Sequence, residues 1–210
     1  MMKERQQRMG LPEDHYERIK ARLYQRICRE LHAAKRILDI GCGSCQLDRL
    51  LAEQNGRRIV GVDISDAKFP EEEAHTGAMQ CRKGDAGNIK FLKDGSMDGV
   101  VSVYALHEMN NALKALKEAR RVLRPAGRIL IVDFPRESLA KRLWNEHYYT
   151  PLQVESLLRK AGFVDARATV IYQKQLIWAQ GRRARSEEQE SIDRRAKIPE
   201  DERGIDRGLR

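Results

Sequence analysis

The chain has 210 residues, of which 34% are charged, and its formal net charge is +9. This length suits one domain with terminal extensions and is too short for two full domains. No run approaches the roughly 18 consecutive apolar residues of a membrane span, and charged residues follow the first two methionines at once, so we expect a cytoplasmic protein with no membrane span.

The basic surplus lies mainly at the amino terminus, where residues 1–36 carry ten Lys or Arg and five Asp or Glu. Such a segment can be a solvated helix face or a surface for an anionic partner such as RNA. Aromatic residues make up only 6% of the chain and do not interleave with a basic patch, as they would in a stacking platform for single strands. The solvated helix face is therefore the preferred interpretation.

The first predicted element is an amphipathic helix over residues 13–34. Its apolar residues recur at three- and four-residue steps, which places them on one face. They are Tyr16, Ile19, Leu23, Ile27 and Leu31. Pro12 stands where the first turn of a helix accepts proline. We expect this helix to pack on the sheet as an N-terminal extension formed by residues 1–35.

The next stretch, residues 36–45, combines a buried strand, a sharp turn and the start of a helix. Its strand has the short apolar run that is typical of a strand covered on both faces. These apolar residues are Ile37, Leu38 and Ile40. Gly41 and Gly43 allow the backbone to turn and a ligand to approach closely. Ser44 stands where it can cap a helix over residues 46–55.

Asp63 closes a second predicted strand, over residues 58–63, and lies 20 residues after Gly43. In nucleotide-binding βαβ units, a carboxylate at this position accepts hydrogen bonds from ribose hydroxyls. A glycine loop alone is a weak signal, but a glycine loop followed by an acid at this spacing indicates a nucleotide-type cofactor.

The four cysteines are Cys28, Cys42, Cys45 and Cys81, and in a cytoplasmic protein we expect them to be reduced. Cys42 and Cys45 form a C-x-x-C pair, a spacing that also occurs in redox and zinc sites. Cys28 and Cys81 are isolated in the sequence, and no pair of histidines is spaced to complete a zinc site. We therefore predict no thiol chemistry and no metal site.

Polar side chains also follow the third and fourth predicted strands. A strand over residues 79–83 leads to Asp85, and an apolar strand over residues 97–104 leads to His107 and Glu108. Ligands of open parallel sheets bind outside the carboxyl ends of the strands. The segment that carries His107 is therefore expected to face the reacting group.

The remaining chain continues the alternation of helices and strands. A fifth strand is predicted over residues 127–134, and an irregular stretch rich in aromatic residues follows over residues 135–149. Residues 163–172 and 174–179 predict two strands that form a hairpin. Beyond them apolar residues are too sparse to build a core, so residues 182–210 are predicted to form a charged tail, flexible or loosely helical.

These features resemble the class I S-adenosylmethionine-dependent methyltransferases, over roughly residues 11–180. The motifs that carry the resemblance are Asp39-Ile40-Gly41-Cys42-Gly43, the strand that ends in Asp63, and Gly84-Asp85-Ala86. The resemblance implies an α/β Rossmann-like, doubly wound fold over residues 36–181. Its sheet is expected to have seven strands, mostly parallel, with an antiparallel edge hairpin and an extra N-terminal helix. The chain departs from the family pattern at Cys45 and Ala126, where glycine is common.

The resemblance also implies a site. The cofactor would be S-adenosyl-L-methionine and the product S-adenosyl-L-homocysteine. The residues expected to hold the cofactor lie in the loop and at the strand ends. They are Asp39, Gly41, Gly43, Cys45, Asp63, Ile64, Asp85, Ala86 and Tyr104. His107 is the candidate general base, because its ordinary pKa is near neutral. The side chains expected to bind the acceptor are Tyr16, His107, Glu108, Tyr148 and Tyr149.

Three functions are compatible with these features. Methylation of a small molecule is favoured, because Leu106-His107-Glu108-Met109 differs from the Asn/Asp-Pro-Pro-Tyr/Phe motif of enzymes that methylate exocyclic base nitrogens. RNA methylation is the second, motivated by a pI near 9.5 and the basic N-terminal helix. The third is a non-catalytic cofactor-binding or assembly protein whose charged tail docks a partner.

Overall fold

The computed structural model describes residues 15–54, 56–70 and 78–196, and the side chains of residues 19–54, 56–70 and 78–194. Within these ranges the chain forms strands and α-helices in alternation. The strands are β1 (Arg36–Ile40), β2 (Arg58–Asp63), β3 (Met79–Lys83), β4 (Met97–Val103), β5 (Leu123–Asp133), β6 (Val164–Ile171) and β7 (Leu176–Arg182). The helices are α1 (His15–Glu30), α2 (Gln46–Ala52), α3 (Ala112–Val122), α4 (Leu139–Trp144), α5 (Pro151–Lys160) and α6 (Ser186–Ala196).

All seven strands belong to one sheet, in the order β3-β2-β1-β4-β5-β7-β6. Strands β1 to β5 run parallel to their neighbours, whereas β7 is antiparallel to both β5 and β6. The predicted doubly wound α/β fold with an antiparallel edge hairpin is therefore confirmed. From β1 the strand order runs towards one edge of the sheet through β2 and β3, and from β4 it runs towards the other edge. Ligands of such sheets bind at this topological switch point between β1 and β4, outside the carboxyl ends of the strands.

Both faces of the parallel sheet are covered, which explains why the apolar run of β1 is buried throughout. On one face α1 packs through Leu23, Ile27 and Leu31 into the cluster that contains Ile37. On the other face Leu38 lies in a second cluster, together with apolar residues of α3 and α5. None of the described helices combines the length and the apolar content that crossing a membrane requires.

The amino ends of three neighbouring strands are joined by the carboxylate of Asp98. It accepts hydrogen bonds from the backbone N–H groups of Lys35 and Arg36, at 3.1 and 2.8 Å. The side chains of Arg36 and Arg124 also donate to it, at 3.0 and 2.8 Å. Burial raises the pKa of Asp98, but these hydrogen bonds and charges outweigh burial and lower the pKa to about 2.

Two turn residues adopt the left-handed backbone conformation that favours glycine. Cys45, with φ 54°, is the N-cap of α2, so this helix begins at Gln46 and Ser44 does not cap it as predicted. Ala126, with φ 63°, lies in the turn before the regular part of β5. The family often has glycine at both positions, and the backbone conformation gives the physical reason.

The carboxyl-terminal part contains more regular structure than predicted. Strand β5 begins at Leu123 rather than Gly127, and β7 continues to Arg182. Helix α6 then occupies part of the stretch predicted to be a tail. The rest of that stretch, residues 197–210, lies outside the described residues. The division of the chain into an extension, a main domain and a tail remains a prediction.

Candidate active site

The loop after β1 is shaped by two glycines with positive φ, 77° at Gly41 and 53° at Gly43. A Cβ atom on Gly41 would lie 2.2 Å from the Cβ of Ala105, so only glycine permits this approach between the ends of β1 and β4. The backbone N–H groups of Gly41 and Cys42 both donate to the carbonyl of Val62, at 2.8 and 3.2 Å. The loop is thereby fixed to the end of β2.

Asp63 lies between this loop and the turn that follows β2. Its Oδ2 accepts a hydrogen bond from the Gly43 N–H at 2.9 Å, and its Oδ1 accepts one from the Ser65 N–H at 3.0 Å. Each carboxylate oxygen can accept a further hydrogen bond. The neighbouring Ile64 is 72% exposed, so the acid and this apolar side chain border the open edge of the sheet.

The end of β3 adds Asp85 and Ala86 to the same edge. Asp85 Oδ1 accepts a hydrogen bond from the Gly87 N–H at 2.7 Å. The Lys114 ammonium lies 4.0 Å from the other oxygen, and 60% of the Asp85 side chain is exposed. Because β2 and β3 are parallel neighbours, Asp63 and Asp85 follow adjacent strand ends, as predicted for two groups that bind different parts of one ligand.

Asp39, in contrast, lies behind the loop and is only 3% exposed. Its carboxyl group faces that of Asp48 on α2. Burial, followed by the charge of Asp48, raises the pKa of Asp39 well above its ordinary value. Burial also raises the pKa of Asp48, to about 7. The two carboxyl groups can therefore share a proton, and a cofactor contact by Asp39 remains a prediction.

A disulfide joins Cys45 to Cys81, with the two sulfur atoms 2.10 Å apart. The expectation that all four cysteines are reduced is wrong for this pair. Cys81 is isolated in the sequence, but parallel pairing of β2 and β3 places it opposite Gly61 and beside the loop. Cys28 and Cys42 are free and buried.

His107 lies in a short 3₁₀ turn after β4 and is held by Asp133, the last residue of β5. The ring Nδ1 is 2.6 Å from Asp133 Oδ1, and the His107 backbone N–H donates to Asp133 Oδ2 at 2.9 Å. Asp133 is 1% exposed, and its Oδ1 also accepts a hydrogen bond from the Phe134 N–H at 2.8 Å. This carboxylate fixes the orientation of the ring and places a proton on Nδ1.

The other ring nitrogen of His107 faces two glutamates. Nε2 lies 3.1 Å from Glu146 Oε2 and 3.9 Å from Glu108 Oε1, and 4% of the His107 side chain is exposed. Burial by itself lowers the pKa of His107. The hydrogen bond and charge of Asp133 and the charges of the two glutamates outweigh burial, so the pKa is raised above its ordinary value. With an acceptor on each nitrogen, the ring is stabilised as an imidazolium.

Aromatic rings form one wall beside this histidine. Tyr104 stacks on Phe134 with ring centroids 4.6 Å apart, and Trp144 lies 5.4 Å from Phe134. The Tyr148 ring lies 4.7 Å from the His107 ring, and its hydroxyl donates to Glu146 at 3.4 Å. The wall therefore surrounds an ionisable group with packed aromatic rings.

The structure brings together three of the predicted acceptor-binding residues, His107, Glu108 and Tyr148. Tyr149 is half-buried and contacts His147, with ring centroids 5.6 Å apart. The side chain of Tyr16 lies outside the described residues. These placements do not by themselves test the predicted roles, which remain predictions.

Two residues of this cluster, Asp133 and Glu146, were absent from the predicted site. Asp133 carried a usable signal, because it is an acid at the end of a predicted buried strand, as Asp63 is. Glu146 carried none, since it lies in an irregular stretch where no periodicity assigns a direction to a side chain.

The geometry agrees with comparisons to known proteins. Residues 38–131 match the family described as a methyltransferase domain. The chain is 28% identical over 147 residues to O-methyltransferase resE of Aspergillus sclerotiorum, covering 62% of this chain and 55% of the relative. It is 36% identical over 116 residues to 2-phytyl-1,4-naphtoquinone methyltransferase of Synechocystis sp., covering 50% and 48%. This chain spans about half the length of the curated relatives it matches.

Among solved structures, the cyclase SpnF resembles this chain with a TM-score of 0.68 at 17% identity, covering 79% of this chain and 81% of that one. At that identity the likeness shows the fold alone. The family match is more informative, because it runs from β1 into β5 and includes the glycine loop, Asp63, Asp85 and His107. Residues 38–131 therefore match a methyltransferase domain, and the matches together support the resemblance to the class I S-adenosylmethionine-dependent methyltransferases.

Proposed function

We propose that this chain transfers a methyl group from S-adenosylmethionine to a small, largely apolar acceptor through a hydroxyl group that His107 deprotonates. The observation that carries the proposal is the buried contact between His107 and Asp133, at the carboxyl end of β4. A histidine oriented in this way has one nitrogen committed to Asp133, and its other nitrogen can take part in proton transfer once an acceptor hydroxyl replaces Glu146 beside it.

The residues present fit this cofactor. When bound, it supplies a methyl group on a positively charged sulfonium. Gly43 leaves room for close approach of a ligand to the backbone, since the space where its Cβ would project is open, whereas the same space at Gly41 is filled by Ala105. Asp63 keeps acceptor capacity for ribose hydroxyls, and the exposed carboxylate of Asp85 can accept a hydrogen bond from an adenine amino group.

The charge of this edge also favours a cationic ligand. Four partly or fully exposed carboxylates border it within the described residues, and the His107 imidazolium together with the Lys114 ammonium offsets only part of their charge. They are Asp63, Asp85, Glu108 and Glu146. Negative potential in a cleft with low-dielectric walls raises the local concentration of cations. A sulfonium is therefore attracted to this edge of the sheet.

The proton transfer follows from the contacts of His107. In its neutral form the ring keeps its proton on Nδ1, donates it in the hydrogen bond to Asp133, and presents a lone pair at Nε2. An acceptor hydroxyl at the place now taken by Glu146 would give its proton to Nε2 as its oxygen forms the new bond to the methyl carbon. The bond between that carbon and the sulfonium sulfur would break in the same step, which would leave S-adenosylhomocysteine as the product. The resulting imidazolium is stabilised by Asp133. It can again form its hydrogen bond to Glu146, whose side chain is 48% exposed and can pass the proton to water.

The aromatic wall supports an apolar, planar acceptor. The ring centroids of Tyr148 and Phe134 lie 4.7 and 6.1 Å from that of His107, and Tyr104 stacks on Phe134. An aromatic environment of this kind favours a ring as the acceptor. The names of the two curated relatives, an O-methyltransferase and a naphthoquinone methyltransferase, support an acceptor of this class. Displacement at a methyl group then depends mainly on holding the two reactants in line in a water-poor cleft.

The proposal is tested by release of S-adenosylhomocysteine from the purified chain, supplied with S-adenosylmethionine and a panel of phenols, naphthols and hydroxyquinones. We expect turnover with at least one compound of this panel, and no turnover with the methyl ether of the same compound. Total RNA, tested in parallel, should not be methylated. Methylation of RNA without turnover of any small acceptor would transfer the assignment to RNA, the alternative that the basic N-terminal segment suggests.

A further inference from the structure

Behind the glycine loop, four side chains that can bind a metal ion meet in the interior. They are Cys42, Cys45, Asp48 and Cys81, all buried, with ligand atoms that lie within 4.8 Å of one another. The sulfur atoms of Cys42 and Cys45 are 3.6 Å apart. Cys81 Sγ is 4.0 Å from Asp48 Oδ2. Methyl transfer, as described above, uses none of these thiols.

The fold leaves space for this cluster at Gly61. A Cβ atom at that position of β2 would lie 2.2 Å from Asp48 Oδ2 and 2.8 Å from Cys42 Sγ. Pairing of β2 with β3 sets Cys81 directly opposite the same glycine. Three separate segments, the loop with the start of α2, strand β2 and strand β3, therefore converge on one buried point.

The carboxyl group of Asp48 has incomplete partners there. The residue is fully buried, and its Oδ1 has no hydrogen-bond donor among the described residues; the same holds for Asp39 Oδ1 beside it. Leaving a buried polar group unpaired costs about 1–3 kcal/mol, and a proton shared between the two acids satisfies only part of the need. No cationic side chain of the described ranges forms an ion pair with either acid, so a metal cation is the missing kind of partner.

We infer that the reduced form of this cluster binds one zinc ion through Cys42, Cys45, Cys81 and Asp48. Zinc takes four S, N or O ligands in a tetrahedron, with about 2.3 Å to sulfur, which sets two sulfur ligands about 3.8 Å apart. The observed 3.6 Å between Cys42 and Cys45 matches this separation. Thiolate ligands favour zinc over magnesium or calcium, and four protein ligands in a buried position are typical of a closed, structural site.

The disulfide between Cys45 and Cys81 and the zinc site are alternative states of the same cluster. A dithiol reductant delivers two electrons and two protons to the bonded sulfurs, which become thiols while the dithiol becomes a disulfide. Zinc then replaces the protons of the three thiols, and these protons leave to solvent. The prediction of no metal site rested on the isolation of Cys81 in the sequence, a premise that the structure removes.

The test is the metal content of the full chain, reduced with a dithiol, incubated with zinc and desalted. Mass spectrometry of the metal should give about one zinc ion per chain, and Co²⁺ in its place should show thiolate-to-metal charge-transfer absorption. Cys42→Ser and Asp48→Asn should each lose stoichiometric zinc. Cys28→Ser is the matched control, because Cys28 is buried but lies outside the cluster, and it should retain zinc.

Cys42→Ser also separates the two states, since it removes a zinc ligand and leaves both disulfide partners in place. A thiol count on the oxidised, denatured variant should therefore still show the disulfide between Cys45 and Cys81. Equal zinc content in the reduced wild type and in Cys42→Ser would overturn the inference, as would loss of zinc in Cys28→Ser. These readouts involve neither cofactor nor acceptor, so their failure leaves the proposed methyl transfer unaffected.

Discussion

The two edges of the parallel sheet carry opposite kinds of charge. At the amino edge, β1, β2 and β5 begin at or next to Arg36, Arg58 and Arg124; at the carboxyl edge, β2 and β5 end at Asp63 and Asp133. Both edges contain a carboxylate that accepts several hydrogen bonds. Only the identity of the donors differs between them.

That difference separates a structural site from a binding site. The acid of the amino edge, Asp98, has two arginines and two backbone N–H groups as donors, which leaves little capacity for a ligand. At the carboxyl edge, the donors to Asp63 among the described residues are backbone N–H groups, and Asp133 holds a histidine whose other nitrogen faces Glu146. Acids without arginine partners therefore mark the edge where a cationic cofactor can bind.

The largest expected effect is at the carboxyl edge. His107→Gln removes the proposed base, and turnover should fall by roughly 100- to 10,000-fold. Cofactor affinity, measured by calorimetry, should change little, because the substitution leaves Gly41, Asp63 and Asp85 in place. His32→Gln is the matched control, since His32 is exposed and lies in the turn before β1, at the amino edge of the sheet. A fall in cofactor affinity as large as the fall in turnover would contradict a role in proton transfer.

At the amino edge, Asp98→Asn should reduce stability rather than activity. A pKa of about 2 in the folded chain, against about 3.9 in an unfolded one, corresponds to roughly 2–3 kcal/mol of unfolding free energy. Because the folded pKa is depressed, this contribution is present above pH 4 or so and is lost as pH falls through about 2. Denaturant unfolding across this range should be less pH-dependent in the variant.

Asp94→Asn provides the comparison for Asp98. Asp94 also pairs with an arginine, Arg121, but 75% of its side chain is exposed. Exposed pairs contribute about 0–1 kcal/mol, so this variant should lose much less stability. If the two variants lost the same amount of unfolding free energy, the stabilisation by Asp98 would not come from its bridging of three strands.

Asp63→Ala should weaken binding of S-adenosylmethionine by about 10- to 100-fold in calorimetry, the range expected for charge-assisted hydrogen bonds. The variant also removes an acceptor from the Gly43 N–H, so part of the loss reflects a less fixed loop. Asp66→Ala is the control, because Asp66 is exposed and pairs with Lys83. Unchanged affinity in Asp63→Ala would count against this edge as the cofactor site.

The parts of the fold that depend on local chemistry were predictable from the sequence. The apolar run of β1, the glycines after it and the acid of β2 form a pattern within residues 36–63, where strand periodicity and turn chemistry suffice. Thr150 likewise caps α5 through its hydroxyl, as serine and threonine do at helix starts. These features need no knowledge of which segments become neighbours in space.

The missing parts depend on contacts between distant segments. Cys81 meets Cys45 across 36 residues, and Asp133 reaches His107 across 26, so spacing along the chain carries no sign of either contact. Both follow from the strand order, because β3 lies next to β2 and β5 lies next to β4. Ser44 failed as a cap for a different reason: Cys45, in the left-handed conformation, occupies the N-cap position directly before Gln46, and it makes no side-chain capping hydrogen bond.

The smallest effect is expected from Glu146→Gln, which changes only the charge beside Nε2 of His107. Removal of that charge lowers the pKa of His107, so the neutral, basic form of the ring persists to lower pH. The acidic limb of the plot of kcat against pH should therefore move to lower pH. The rate on that limb should rise by no more than about tenfold. Glu137→Gln, on the same connecting segment, should leave the profile unchanged.

The same variant has an opposite effect on stability. A histidine whose pKa is raised by folding stabilises the chain below its unfolded pKa, and this contribution is lost as pH rises through the folded value. Glu146→Gln should therefore lower the unfolding free energy in mildly acidic buffer and not in alkaline buffer. A limb that moved to higher pH, or a loss of stability confined to alkaline buffer, would show that Glu146 does not raise the pKa of this histidine.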